Sequence, residues 1–201
     1  MDFLGHIYFS NNDIKLMYAN LFGDFVKGKN FSMYTAEIQK GITLHRHLDN
    51  HIDHHPIVLE LTRFLYPKLP KVSAIAVDIY FDHLLAKNWK QFHPLKLDDF
   101  LNDFESYPIS LGEFNNTDFE TIIQRMNKGK WLHHSATHYG LEKSLNGVSA
   151  LLSFPNKLTK AFGTFIENEK YISEIFFAYM KEAIPYFSAY HQYNEQKSQL
   201  E

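Results

Sequence analysis

Cysteine is absent from the 201 residues, which removes disulfides and thiolate metal sites and leaves histidine and carboxylate as the only strong metal donors. No run approaches the ~18 consecutive apolar residues of a membrane-crossing helix. No basic segment followed by an apolar stretch opens the chain as a secretion signal would. A cytoplasmic protein follows as the expectation, with neither membrane nor nucleic acid as partner and with oligomeric state left open. The chain also lacks a glycine-rich phosphate loop, a Gly-x-Ser-x-Gly nucleophile elbow and a His-Glu-x-x-His zinc motif. Without a cysteine nucleophile or these devices, water activated by a metal is the economical chemistry. Strict alternation flanked by Asn-Gly or Asp-Gly is missing as well, so no hairpin is expected.

What is present is helical patterning, aromatics and histidine. Hydrophobic residues make up 45% and charged residues 21%, the balance of an ordinary globular chain that can bury a core without staples. The aromatic share of 16% predicts a bulky core or a ring-lined cleft. The net charge of -3 is unevenly spread: residues 97–120 carry seven acids and no Lys or Arg, whereas residues 60–96 sum to +3 and residues 121–160 to +5. A locally basic surface suits an acidic partner, and an ordinary solvated surface has the same composition.

Helices are predicted over residues 13–27, 32–54 (with Gly41 as a break), 56–66, 71–92, 98–110, 116–128, 131–139, 141–152, 156–168 and 170–189, following a short apolar N-terminal segment. The start and stop signals are Asn11 and Asn12, Gly28, Ser32, Pro56 and Pro67. In 71–92, Val72, Ile75, Ala76, Ile79, Leu84 and Trp89 recur at three- and four-residue steps. The polar tail from about residue 192 is expected to fray. The expectation is a single all-α domain, a helical bundle spanning residues 1–201.

Of the twelve histidines, five fall in the densest run, His45-Arg46-His47-Leu48-Asp49-Asn50-His51-Ile52-Asp53-His54-His55. On a helix His45 and Asp49 share a face and make either half of a divalent-cation site or a surface ion pair. His47, His51, His54 and His55 fall on the other side and read as a wet surface or a fortuitous metal site. Asp78 and Asp82 are again one turn apart on a core-type helix. Two such carboxylates repel unless a cation lies between them, or an arginine, for which Arg46 is the candidate. Asp24, set among Phe22, Phe25 and Val26, is either buried or exposed at a helix end. His6, in Phe3-Leu4-Gly5-His6-Ile7-Tyr8, is either a satisfied core histidine or a ligand.

These motifs resemble the acyl carrier protein phosphodiesterase family. The likeness runs through Met1-Asp2-Phe3-Leu4-Gly5-His6, Gly23-Asp24-Phe25-Val26-Lys27-Gly28, Gly41-Ile42, His45-Arg46, Asp49, Asp53, Asp78, Asp82-His83, Trp89 and Leu145-Asn146-Gly147. It implies an HD-like metal-dependent phosphohydrolase that removes 4′-phosphopantetheine from the serine of holo-acyl carrier protein with a divalent metal, Mn2+ or Mg2+. The order Asp82-His83 reverses the pair of the HD pattern, and Asp2 stands where Asn is common. The resemblance implies metal ligation by His45, Asp78, Asp82, His83 and His6, and catalytic roles for Asp24, Arg46 and Asp49. Carriers of this kind are acidic, so Lys68, Lys71, Lys87, Lys90, Lys128 and Lys130 are the expected docking residues. An HD-like hydrolase of nucleotides and a non-catalytic metal-binding module are the competing readings.

Overall fold

The computed structural model of the protein describes residues 1–198. Among them are nine α-helices and no strand: α1 Phe3–Tyr8, α2 Ile14–Phe22, α3 Ala36–Asp53, α4 Pro56–Leu65, α5 Ser73–Lys87, α6 Leu97–Ser106, α7 Thr117–Lys128, α8 His138–Leu151 and α9 Ala161–Ser198. The starts follow ordinary capping chemistry, in which a short polar side chain accepts a bond from an otherwise orphaned N–H. Asp13 accepts from Leu16, Thr35 from Ile38, Asn116 from Phe119 and Thr137 from Gly140. Pro56 occupies the first turn of α4, where its missing N–H costs nothing.

α5 lies at the centre. Ala76, Val77 and the whole run from Ile79 to Ala86 are buried, as suits a helix covered on every side. It packs against α1, α4, α8 and α9. α2 is buried from Leu16 to Phe22 and lies along α3. At their crossing a Cβ on Gly41 would sit 2.3 Å from Ala19 Cβ and 2.4 Å from its carbonyl carbon. Gly41 therefore does not break α3 as expected; it lets two backbones meet.

Other boundaries moved for local reasons. The opening apolar segment is helical, as α1. The helix expected over 13–27 ends at Phe22 and tightens into a 3-10 turn, Gly23–Phe25. The helix expected at 131–139 is a 3-10 turn over Leu132–His134 only, before α8 begins. The last two expected helices run together as α9, interrupted at Asn168, whose φ of -127° is not helical. There the Asn168 side-chain amide donates to the Thr164 carbonyl at 2.8 Å, a side-chain bond in the frame of a helical turn. α9 continues to Ser198, so residues 192–198 are helical rather than frayed; the rest of the polar tail lies outside the described residues. Among the described residues no helix is long and apolar enough to cross a membrane.

Candidate metal centre

α1, α3 and the turn after α2 bring four of the expected side chains to one point. His45 and Asp49, one turn apart on α3, meet through His45 Nε2 and Asp49 Oδ2 at 3.1 Å. His6 from α1 approaches the same carboxylate, its Nε2 3.3 Å from Asp49 Oδ1. The two imidazoles stack with centroids 4.2 Å apart. Asp24, in the turn after α2, places Oδ1 3.2 Å from His45 Nε2. One ligand atom each from His6, His45 and Asp49 lies within 4.8 Å of the others.

Burial grades across the cluster. The His6 and His45 side chains are 6% and 3% exposed, Asp49 43% and Asp24 62%. The histidines form the floor and the carboxylates the mouth. Gly23 makes this possible: a Cβ there would lie 2.3 Å from His45 Cγ, so only glycine lets the turn carrying Asp24 close over the ring.

The electrostatics of the cluster favour positive charge. Burial alone would lower His45, but the Asp24 and Asp49 carboxylates outweigh it and raise the ring to about 9. Burial lowers His6, reinforced by the charge of His45 against the pull of Asp49; two stacked rings do not both ionise. For Asp49 and Asp24 burial works upward, and the imidazoles overcome it and hold both carboxyls below their usual range. A single proton on His45 thus sits among carboxylates where a cation would also be favoured. His45 Nδ1 is buried without a partner, so all the polar bonding of that ring is directed into the cluster. The donor set is the imidazole and carboxylate mixture that Mn2+, Mg2+, Fe2+ and Zn2+ share.

Asp78, Asp82 and His83 are not part of this group. The two carboxyls of α5 are met not by Arg46 but by the N-terminal segment of the chain. Asp82 Oδ1 accepts from the Asp2 and Gly5 amides at 3.1 and 3.0 Å, and its Oδ2 from Leu4 at 2.6 Å. These N–H groups have no partner within their own helix and favour the charged carboxylate, but burial and the neighbouring Asp2 outweigh them and hold the Asp82 carboxyl well above its usual range. Asp78 Oδ1 accepts from the Met1 amino group at 2.7 Å. Asp82 accepts three backbone bonds and Asp78 one from the Met1 amino group, and neither supplies a ligand atom to the His6–His45–Asp49 group. His83 bonds through Nδ1 to the Ser135 carbonyl at 2.7 Å and packs edge-on against Phe165, so it too serves a different neighbourhood.

Arg46 lies beside the cluster, but its Nη2 donates to the Val26 and Gly28 carbonyls at 3.1 and 2.6 Å and its guanidinium covers the Phe31 ring. It straps the loop that follows Asp24. Of the other histidines in the 45–55 run, His47, His51 and His55 are not a wet surface. His47 stacks between Tyr190 and Tyr186, whose hydroxyl is 3.0 Å from His47 Nε2. His51 Nδ1 lies 3.2 Å from the Tyr179 hydroxyl, and His55 Nε2 3.3 Å from Glu182. Only His54 is exposed with a purely local bond, to the Asn50 carbonyl. Of the docking lysines, Lys68 pairs with Glu167, Lys87 with Glu169 and Lys130 with Glu105. Lys71, Lys90 and Lys128 are exposed.

Two residues that matter here, Gly23 and Asn20, were not singled out from the sequence. The available signal for Asn20 is one amide side chain inside the otherwise apolar run Leu16-Met17-Tyr18-Ala19-Asn20-Leu21-Phe22.

The fold and the cluster define an all-α protein with a part-buried histidine–carboxylate group that could hold a metal ion. Comparison with known proteins narrows the class: the model of the acyl carrier protein phosphodiesterase family matches residues 1–183, and the chain belongs to that family. Relatives of that name include one from Pectobacterium atrosepticum, 31% identical over 172 residues, covering 85% of this chain and 88% of the relative. One from Yersinia enterocolitica is 26% identical over 183 residues, covering 89% and 93%. One from Klebsiella pneumoniae strain 342 is 29% identical over 151 residues, covering 75% and 78%. No solved structure matches the chain.

Proposed function

We propose that this chain hydrolyses the phosphodiester joining 4′-phosphopantetheine to the serine of holo-acyl carrier protein, with a divalent cation, Mn2+ or Mg2+, at the His6–His45–Asp49 cluster. The observation that carries the reading is the convergence of those three ligand atoms within 4.8 Å in a chain of the acyl carrier protein phosphodiesterase family. When bound, the cation would draw charge from a phosphate oxygen and acidify nearby water.

The protein's own groups divide the remaining work. His6, His45 and Asp49 hold the ion. Asp24, the most exposed of the four, orients the water that attacks phosphorus. The bond between phosphorus and the serine oxygen breaks, that oxygen takes a proton, and apo carrier and free 4′-phosphopantetheine leave. Arg46 supplies positive charge beside the phosphate rather than a free fork, since one of its nitrogens is spent on loop carbonyls.

Docking of an acidic carrier shifts toward the mouth of the cluster. Lys68, Lys87 and Lys130 are neutralised by glutamates and have less to offer than Lys71, Lys90 and Lys128. Lys27 and Lys29 are exposed on the loop that Arg46 ties down, and among the described residues no carboxylate pairs with Arg46. This loop follows Asp24 directly in the chain. Steering by such charge weakens with salt.

The test is mass spectrometry of holo-carrier incubated with the protein and Mn2+, beside a panel of nucleotides. Loss of the prosthetic group from the carrier is expected. An unchanged carrier alongside nucleotide turnover would overturn the reading.

A further inference from the structure

A closed circuit of hydrogen bonds lies behind His6 on the side away from Asp49. Asn20 and Ser10 are both fully buried, 0% exposed. Ser10 Oγ donates to the His6 carbonyl at 2.8 Å. Its one hydrogen is spent there, so it faces Asn20 with a lone pair, and Asn20 Nδ2 donates into it at 3.0 Å. The second Asn20 amide hydrogen goes to the His6 carbonyl at 2.9 Å. Both donors of Asn20 are thus assigned. The flipped amide would set two carbonyl oxygens 2.9 Å apart with no hydrogen between them, which a buried site does not tolerate.

Asn20 Oδ1 is therefore the atom that faces His6 Nδ1, 2.9 Å away. An amide oxygen only accepts, so Nδ1 must carry the hydrogen. In the neutral ring Nε2 is then bare, and it points at Asp49 Oδ1 across 3.3 Å. Two electron-rich atoms facing each other at that distance is an arrangement a cation between them would satisfy.

We propose that Asn20, itself held by Ser10, is a positioning residue that fixes His6 in the Nδ1–H tautomer and so aims its Nε2 lone pair into the cluster. The proposal rests on the reading of that cluster as a cation site. A hydrogen-bond partner on the far nitrogen sets which nitrogen a ligating histidine can offer, and such partners affect metal affinity by about 10–100-fold.

The primary test needs no variant. Long-range 1H–15N correlation spectra of the metal-free protein, at a pH where His6 is neutral, should show hydrogen on Nδ1 and none on Nε2. The opposite tautomer overturns the proposal. In Asn20→Leu, which keeps the bulk but removes the acceptor, Mn2+ affinity by titration calorimetry should fall about 10–100-fold. Asn20→Asp keeps an acceptor against Nδ1 and should retain more affinity than Asn20→Leu. Wild-type affinity and an unchanged tautomer in Asn20→Leu would overturn the proposal. Should Asn20→Leu fail to fold, Ser10→Ala loosens the same amide and is expected to populate both tautomers; a single Nδ1–H form at wild-type affinity would count against it. A wild-type protein that takes up no Mn2+ overturns the cation reading, a failure separate from that of the tautomer.

Discussion

Replacing Gly23 by alanine would set a methyl group 2.3 Å from His45 Cγ and 2.4 Å from its Cβ. Carbon atoms in contact prefer about 3.5–4.0 Å, so the gap falls short by more than 1 Å. The backbone offers no objection, because Gly23 has φ -51° and ψ -36°, and alanine there gains up to about 1 kcal/mol of helical preference. The atoms it meets are not the end of a flexible chain. They are the root of a buried ring whose Nε2 is bonded to both Asp24 and Asp49. Overpacking of this kind costs about 1–3 kcal/mol, which exceeds the backbone gain, so G23A should melt lower than wild type. The larger effect falls on the site. Moving His45 by about 1 Å exceeds the ~0.2 Å tolerance of a metal–ligand distance, and misplacement on that scale costs about 100-fold in rate. Calorimetric Mn2+ titration and carrier turnover would be measured together with the melting curve. A G23A protein that binds Mn2+ and turns over like wild type would refute the claim that the turn must close on His45.

Three further outcomes follow from the same geometry. In the metal-free protein His45 titrates near 9 against about 6.5 unfolded. A raised folded pKa gives stability that is whole below pH 6.5 and lost as pH climbs through 9, at most about 3 kcal/mol and about 1–2 kcal/mol once screening at the exposed Asp24 and Asp49 is counted. Urea unfolding at pH 6 and pH 9.5 reads it, and equal stability at both contradicts it; Mn2+ should flatten the difference by taking the proton's place. Asp82→Ala strands the amides of Asp2, Leu4 and Gly5 and should destabilise the fold by about 3 kcal/mol, while Mn2+ affinity of the folded fraction changes little; a selective loss of metal with stability intact would restore Asp82 as a ligand. Arg46→Ala frees the Val26 and Gly28 carbonyls, so limited proteolysis within residues 26–35 should accelerate and the KM for carrier should rise, whereas an unchanged cleavage pattern would deny the strap.

The sequence carried the helices well where apolar spacing dominates, as in α5, and less well where glycine or asparagine works through tertiary contact. Gly41 reads as a break but serves a helix crossing, and Asn168 interrupts α9 without ending it. The site was half legible. The four-residue step from His45 to Asp49 puts them on one face by geometry alone, whereas the apolar settings of His6 and Asp24 left each open between a structural and a functional role until the family motif was added. Asp78 and Asp82 show where a local pattern stops informing. Their partners are the Met1 amino group for Asp78 and the Asp2, Leu4 and Gly5 amides for Asp82, from a segment about 80 residues away, which no local pattern encodes. His6 also escaped a simple choice, since one nitrogen is satisfied in the core by Asn20 and the other faces the cluster.

Anomalous diffraction from crystals grown with Mn2+ tests the central claim most directly. The account predicts a peak at coordinating distance from His6 Nε2, His45 Nε2 and an Asp49 oxygen, with Asp24 at its edge. A peak among His47, His51 and His55 instead, or none at the His6–His45–Asp49 cluster in protein that turns over carrier, would contradict it.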